Sequence, residues 1–148
     1  MIRLGWWGGR PLSSTDPLGI DKIILFPPNT VERKAAEGVP DTPGVCTIYA
    51  HGKPGVISST VISRDAVNTA SLKIIIDAQC KPKEPVQLMS CNGGTGGDKS
   101  VAQSLADLLG RPVSGYDGLV LYRAPLWPLD ANVSPIPGAK NQTYSPRR

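Results

Sequence analysis

The chain contains one histidine, His51, which directly follows an apolar run over residues 45–50. A second apolar run, over residues 86–90, ends at Cys91. A thiol needs a base to become a nucleophilic thiolate near neutral pH, and imidazole is the usual base. The sequence therefore predicts a His–Cys catalytic dyad, carried at equivalent ends of two buried strands.

The segment between the two runs predicts the crossover that would bring these residues together. Residues 63–79 have helical periodicity, with Asp65 in the first turn and one face formed by Ala66, Ala70 and Ile74. A strand, a helix and a strand in this order form a βαβ unit, whose strands are parallel neighbours joined by a right-handed crossover. We therefore expect the Cys91 sulfur and the His51 ring to lie about 3.5 to 6 Å apart at one sheet edge.

The remaining pattern predicts a small three-layer α/β sandwich with a mostly parallel sheet. A first strand is expected over residues 23–26, followed by a helix that Asn29 or Thr30 caps and that runs through Glu37. The segment after His51, residues 52–55, is expected to be a loop. Further expected elements are a helix capped by Asp98 that ends at Gly110, strands at 113–115 and 119–122, and a proline-rich tail of loops with short strand pieces.

Length, charge and composition exclude several classes of protein. A chain of 148 residues forms one domain, and no apolar run reaches the roughly 18 residues of a membrane-spanning helix. The net charge of +4 is mild and the basic residues are not interleaved with aromatic ones, which disfavours a nucleic-acid groove. The first residues lack the pattern of a signal peptide. These features predict a soluble domain without a membrane partner.

The three cysteines leave at least one thiol unpaired in any disulfide scheme. Cys46 falls within an apolar strand pattern and is interpreted as a small buried hydrophobic residue. Cys80 is placed at a helix exit and is interpreted as a free thiol. With one histidine and no C-x-x-C motif the chain has no zinc signature, and no metal or cofactor is expected.

The dyad suggests a mechanism of acyl transfer. His51 would accept the thiol proton and later protonate the leaving amine, while Cys91 would attack a carbonyl carbon. The backbone N–H groups of Gly52 and Cys91 are the expected oxyanion donors. The glycine-rich segment that follows is expected to line the substrate cleft, through Asn92, Gly93, Gly94 and Asp98.

The same glycine-rich segment invites comparison with a phosphate-binding loop, because it follows a strand and opens a helix. The Walker pattern requires lysine directly after the last glycine. Here Asp98 stands between Gly97 and Lys99 and would place a carboxylate where a phosphate should bind. Nucleotide hydrolysis is therefore disfavoured.

The dipeptides His51-Gly52 and Ser90-Cys91, in this order at two strand ends, resemble those of the caspase-like (clan CD) cysteine peptidases. The resemblance spans residues 45–122 and is nearest to the self-processing peptidase domains of large bacterial toxins and to the CHAT group. It implies a caspase-like sheet and peptidase activity. The chain is shorter than typical members, and the sequence names neither a residue that reads the substrate nor a third catalytic residue, although Asp65 and Asp98 are candidates for supporting roles.

Two further segments resemble secreted polymorphic toxins. Residues 11–20 are similar to the end of the Rhs/YD-repeat shell, and residues 88–113 to the C-terminal toxin modules of Rhs proteins. The resemblance implies an irregular leader over residues 1–19 and a toxin domain over residues 20–148. It also implies a secreted effector, such as those of type VI secretion, which is released from an Rhs shell, acts on a protein of the target cell and is neutralised by a cognate immunity protein.

Two alternatives remain open at this point. A domain of the same fold can carry another activity, such as thiol-dependent deamidation or transfer, or attack on a nucleotide. A degenerate domain can bind a partner without catalysis. Selective alkylation of Cys91 separates an activated thiol from a binding module.

Overall fold

The computed structural model describes residues 21–58 and 66–147, which form three α-helices and ten strands. In chain order the elements are β1 (Asp21–Ile24), α1 (Val31–Gly38), β2 (Cys46–Tyr49), β3 (His51–Lys53), β4 (Val56–Ser58), β5 (Ala66–Val67), α2 (Thr69–Gln79), β6 (Val86–Met89), α3 (Val101–Leu109), β7 (Val113–Tyr116), β8 (Val120–Arg123), β9 (Asn132–Pro135) and β10 (Asn141–Tyr144). The expected leader lies outside the described residues, as do Ser63 and Asp65.

A five-stranded sheet in the order β1-β2-β6-β7-β10 forms the centre of the fold. The pairs β1–β2, β2–β6 and β6–β7 are parallel, and β10 is antiparallel to β7. The predicted parallel pairing of the two apolar runs is confirmed, with Tyr49 opposite Met89 as the last paired residues. Two smaller sheets, β3-β4-β5 and β8-β9, accompany it.

The two faces of the central sheet are covered by different elements. Alternate residues of β2 and β6, such as Ile48 and Leu88, pack against α2 and α3 in the larger hydrophobic core. The intervening residues, such as Tyr49 and Met89, pack with α1 and the β8–β9 ribbon in the smaller core. This arrangement is an α/β structure with a mostly parallel sheet, as predicted.

The crossover helix differs from its prediction in both its start and its buried face. The helix α2 begins at Thr69, capped by the Asn68 side chain, which accepts a hydrogen bond from Ser71 N at 2.8 Å. Its buried residues are Leu72 and Ile76, one turn apart, whereas Ile74 is 70% exposed. Ala66, predicted to be helical, lies in β5. Because several consecutive residues of this helix are apolar, the sequence alone does not show which side of the helix packs against the sheet.

The remaining elements confirm the predicted order with local corrections. Thr30 caps α1, as expected. The cap of α3 is Ser100 rather than Asp98, because a 3₁₀ turn over Gly97–Lys99 precedes the helix. The predicted loop after His51 is the β3–β4 hairpin, whose two-residue turn contains Gly55 at φ 80°. A glycine readily adopts this left-handed conformation, which pairs the flanking residues as strands.

The interpretation of the cysteines is corrected by a disulfide between Cys46 and Cys80, whose Cα atoms lie 5.8 Å apart. Both residues are buried in the larger core, and Cys91 remains the free cysteine. The bond links the start of β2 to the end of α2. Cys80 is therefore not the free thiol that its position suggested.

Within residues 21–58 and 66–147, the helices are all too short to span a lipid bilayer.

Candidate active site

The ends of β2 and β6 bring the two predicted catalytic residues to one edge of the sheet. His51 and Cys91 each lie two residues beyond the last paired positions, Tyr49 and Met89. Because side chains alternate along a strand, both should emerge on the face that carries Tyr49 and Met89. The contacts of each side chain agree with this placement.

Gly52 shows directly that the two strand ends touch. A Cβ atom built on Gly52 would collide with the carbonyl oxygen of Cys91 and would lie 3.2 Å from the Cβ of Ser90. Only glycine allows the backbones to approach this closely. The expectation that the His-Gly and Ser-Cys dipeptides meet at one edge is therefore confirmed for the backbone.

We predict that Gly52→Ala destabilises the domain by about 1 to 3 kcal/mol, because the added methyl group must push the two strand ends apart. Urea unfolding monitored by circular dichroism measures this effect. Lys53→Ala, on the next and exposed position of β3, is the matched control. Equal unfolding midpoints for the two variants would contradict the close approach at Gly52.

The His51 ring contacts two residues of the connection between β1 and β2. It packs edge-on against Phe26, with ring centroids 4.8 Å apart and an interplanar angle of 77°. Its Nε2 atom lies 4.0 Å from Oε2 of Glu32, and the His51 side chain is 22% exposed. The imidazole thus has a fixed apolar neighbour, an acidic neighbour and access to solvent.

The Cys91 thiol contacts the backbone at the start of β8. The sulfur accepts a hydrogen bond from Val120 N at 3.3 Å and donates one to Val120 O at 3.6 Å. Among the described residues, no hydrogen bond joins this thiol to the His51 ring. The two groups share an edge and a face, and proton transfer between them requires the thiol to turn away from Val120.

Tyr122 lies between the two strand ends. Its hydroxyl donates to the carbonyl oxygen of Met89 and is also hydrogen-bonded to the backbone of Ala50, so it bridges β2 and β6 just beyond their last paired residues. Burial raises the pKa of this hydroxyl, and the neighbouring Tyr49 and Cys91 raise it further. Tyr122 therefore remains neutral and links the two strand ends at the site.

The backbone N–H groups of Gly52 and Cys91 are the expected oxyanion donors, and the hairpin register gives the direction of the first. In the two-residue hairpin, Lys53 and Val56 flank the turn as a hydrogen-bonded pair, so Gly52 occupies a non-hydrogen-bonded position. Its N–H group therefore points away from β4. Among residues 21–58 and 66–147, no carbonyl outside the regular elements accepts from Cys91 N.

The residues expected to line the cleft do not lie together around one opening. Asn92 directly follows the nucleophile with φ 60°, and Thr95 Oγ1 donates to its side chain at 2.9 Å. Gly93 and Gly94 are buried, and a Cβ on Gly94 would collide with the carbonyl oxygen of Gly115. These glycines pack the loop against β7 rather than opening a cleft.

Asp98 belongs to a different contact. It is exposed, and its carboxylate lies 3.9 Å from the guanidinium of Arg147. Several amides of the preceding loop are used within the protein, since Gly94 N donates to Tyr116 O and Ser100 N donates to Gly97 O. Amides engaged in this way do not form a phosphate cradle.

A groove of about 410 Å³ lies on the same face of the sheet as the dyad side chains. Its lining includes Tyr49 and Met89, the last residues of β2 and β6. Residues that follow α1 and residues of β9 complete the lining. The floor is formed by the sheet residues Thr47 and Gln87. The groove therefore leads along the sheet toward Tyr122.

One group of described residues could hold a metal ion by proximity. The ligand atoms of Cys46, Cys80 and Glu84 lie within 4.8 Å of one another, and all three residues are buried. The two sulfur atoms form the disulfide and are not free to bind metal. The dyad side chains lie outside this group.

Sequence reasoning missed Glu32 and Tyr122. Both residues come from elements far from the dyad in the chain, and nothing in their local patterns distinguishes them from surface residues of a helix and a strand. Only the packing of α1 and β8 onto one face of the sheet brings them to His51 and Cys91.

Comparisons with known proteins place the chain among proteins without an assigned activity. Residues 22–134 match the family model described as "Domain of unknown function (DUF8616)". Over 87 residues the chain is 34% identical to the "Putative uncharacterized protein YibJ" of Escherichia coli (strain K12). This match covers 59% of the chain but spans only 37% of that relative. No solved structure matches the chain.

Proposed function

The chain belongs to the DUF8616 family, and we propose that it is a cysteine peptidase domain that acts through His51 and Cys91 as a secreted bacterial effector. The observation that carries the peptidase proposal is the contact between Gly52 and Cys91 at the ends of parallel strands. It places the sole histidine and the free cysteine of the chain at one edge of the sheet.

The proposed reaction begins with transfer of the thiol proton to His51. The Cys91 sulfur then forms a bond to the carbonyl carbon of a peptide, and the resulting oxyanion is bound by the N–H groups of Gly52 and Cys91. His51 returns the proton to the amine as the carbon–nitrogen bond breaks, leaving a thioester. Water, deprotonated by His51, hydrolyses the thioester and regenerates the thiol.

The backbone of Val120 holds the Cys91 sulfur beside the strand end, since the Val120 N–H donates to the sulfur and the Val120 carbonyl oxygen accepts from the thiol. The Tyr122 hydroxyl, which burial keeps neutral, competes with neither group for a proton. The site thus offers one base, one nucleophile and two backbone donors.

The effector part of the proposal rests on the resemblance of residues 11–20 and 88–113 to Rhs-associated toxins. It assigns a protein of the target cell as the substrate, a cognate immunity protein as the inhibitor and an Rhs shell as the precursor. A caspase-like sheet belongs to the same proposal. The mostly parallel sheet is compatible with it.

Alkylation with iodoacetamide tests the dyad on the unreduced protein, in which Cys46 and Cys80 are bonded. We expect Cys91 to react at pH 7 about 10-fold faster than glutathione, and His51→Ala to remove this excess. A rate equal to that of glutathione in the wild-type protein would contradict an activated thiol and favour a binding module.

Cleavage is tested separately by mapping new protein N-termini in bacteria that express residues 20–148. Peptidase activity predicts new N-termini that disappear in Cys91→Ala. If the thiol is activated but no new N-termini form, the domain is not a peptidase. Mass increases of about 1 Da at glutamine residues would then identify it as a deamidase.

A further inference from the structure

Within residues 21–58 and 66–147, Glu32 of α1 is the one acidic side chain beside the His51 ring, and no pattern in the sequence singled it out. We propose that Glu32 is a positioning residue for His51, which holds the Nε2 side of the imidazole and leaves Nδ1 to serve Cys91. This inference rests on the proposed function, because it assigns a third member to the same site.

Glu32 and His51 form a charge interaction that is partly shielded from solvent. Oε2 of Glu32 lies 4.0 Å from Nε2 of His51, and the two side chains are 35% and 22% exposed. Phe26 contacts the ring edge-on and restricts its rotation. A ring restrained in this way presents Nε2 to the carboxylate and turns its other nitrogen elsewhere.

The position of Glu32 is fixed by the start of α1. The Thr30 side chain caps the helix by accepting from Arg33 N at 3.2 Å, and Glu32 lies in the first turn. The Arg33 guanidinium donates to the carbonyl oxygen of Phe26 at 2.8 Å. The helix start is thus tied to the residue that packs against the His51 ring.

The Tyr122 ring connects the surroundings of Glu32 with the end of β6. Phe26 packs edge-on against both the His51 ring and the Tyr122 ring, with centroids 4.8 and 4.9 Å away. The Tyr122 hydroxyl donates to the carbonyl oxygen of Met89, two residues before Cys91. Glu32 therefore lies beside three packed rings that border the strand end carrying the thiol.

The chemistry of imidazole explains the role. A neutral ring carries one N–H, and a carboxylate beside Nε2 favours the tautomer with the proton there. Nδ1 is then the free base that can accept the Cys91 proton. Once it does so, the ring is cationic, and the Glu32 carboxylate stabilises that charge.

The first test follows the ring of His51 by NMR in Cys91→Ala protein, where the thiol plays no part. Because His51 is the sole histidine, its ring signals are unambiguous. We expect Glu32→Gln to move the ¹⁵N shifts of the two ring nitrogens away from the pattern of the Nε2-protonated tautomer, since the carboxylate that favours this tautomer is lost. Glu37→Gln, which removes an exposed carboxylate from the same helix, is the matched control.

The second test measures iodoacetamide alkylation of Cys91 between pH 6 and 9.5. Glu32→Gln should slow the reaction about 3- to 10-fold at pH 7, and the difference should vanish near pH 9.5, where the thiol ionises without a base. Glu32→Asp, which keeps the charge, should recover part of the rate. A purely structural defect would slow the reaction at every pH.

The outcomes separate this inference from the proposed function. Equal ring-nitrogen shifts for Glu32→Gln and Glu37→Gln, or equal alkylation rates at pH 7, would overturn the positioning role. If the tautomer changes but wild-type alkylation does not depend on His51, the peptidase proposal fails, and the catalytic role of Glu32 fails with it.

Discussion

Replacing Cys91 with alanine is expected to lower the toxicity of the domain by at least about 1,000-fold, because the step that forms the thioester has no other nucleophile. His51→Ala should cause a similar loss. The double variant should be no worse than either single variant, since groups that act as one unit fail together. Survival of bacteria expressing residues 20–148 over a range of inducer concentrations measures the effect.

Two controls keep this result interpretable. Urea unfolding of Cys91→Ala should match the wild-type curve, which shows that the variant is folded. Lys53→Ala, an exposed change on the hairpin beside the site, should retain full toxicity. Wild-type toxicity in Cys91→Ala would contradict the catalytic assignment of the thiol.

Loss of the Cys46–Cys80 disulfide is expected to reduce the free energy of unfolding by about 3 to 4 kcal/mol. The bond closes a loop with a sequence separation of 34 residues, and opening it releases chain entropy in the unfolded state. Urea unfolding of Cys46→Ala/Cys80→Ala, compared with unreduced wild-type protein, measures the difference.

Dithiothreitol provides the internal control for this prediction. It should lower the stability of the wild-type protein toward that of the double variant and should leave the double variant unchanged. Mass spectrometry after alkylation of denatured, unreduced protein should find one modified cysteine. Three modified cysteines would contradict the disulfide.

The apolar runs around His51 and Cys91 were sufficient to predict the part of the fold that forms the site. Strand β2 is buried along its length and β6 alternates between buried and half-buried residues, so both sequences are mostly apolar and easily recognised. The parallel pairing follows from the length of the connection between them. A glycine at position 52 was expected because a side chain there would crowd a substrate carbonyl, whereas the group that it would meet in the structure is the carbonyl of Cys91.

The features that the sequence did not reveal depend on tertiary packing. In α2 the residues at 72 and 74–76 are all leucine or isoleucine, and only the position of the sheet decides that Leu72 and Ile76 are buried and Ile74 is not. Three cysteines allow several pairings, and the meeting of Cys46 with Cys80 depends on where α2 ends. Tyr122 reaches the site because the β8–β9 ribbon folds over the sheet.

The placement of α1 has a consequence for chirality. The connections through α1, α2 and α3 all step in the same direction across the sheet, yet α1 packs on one face and α2 and α3 on the other. The α1 crossover therefore has the opposite hand to the other two, although about 98% of such crossovers are right-handed. With a uniform hand, α1 would lie beside α2, and the sheet would separate Glu32 from His51. The handedness of one connection thus determines which face of the sheet carries a carboxylate for the histidine.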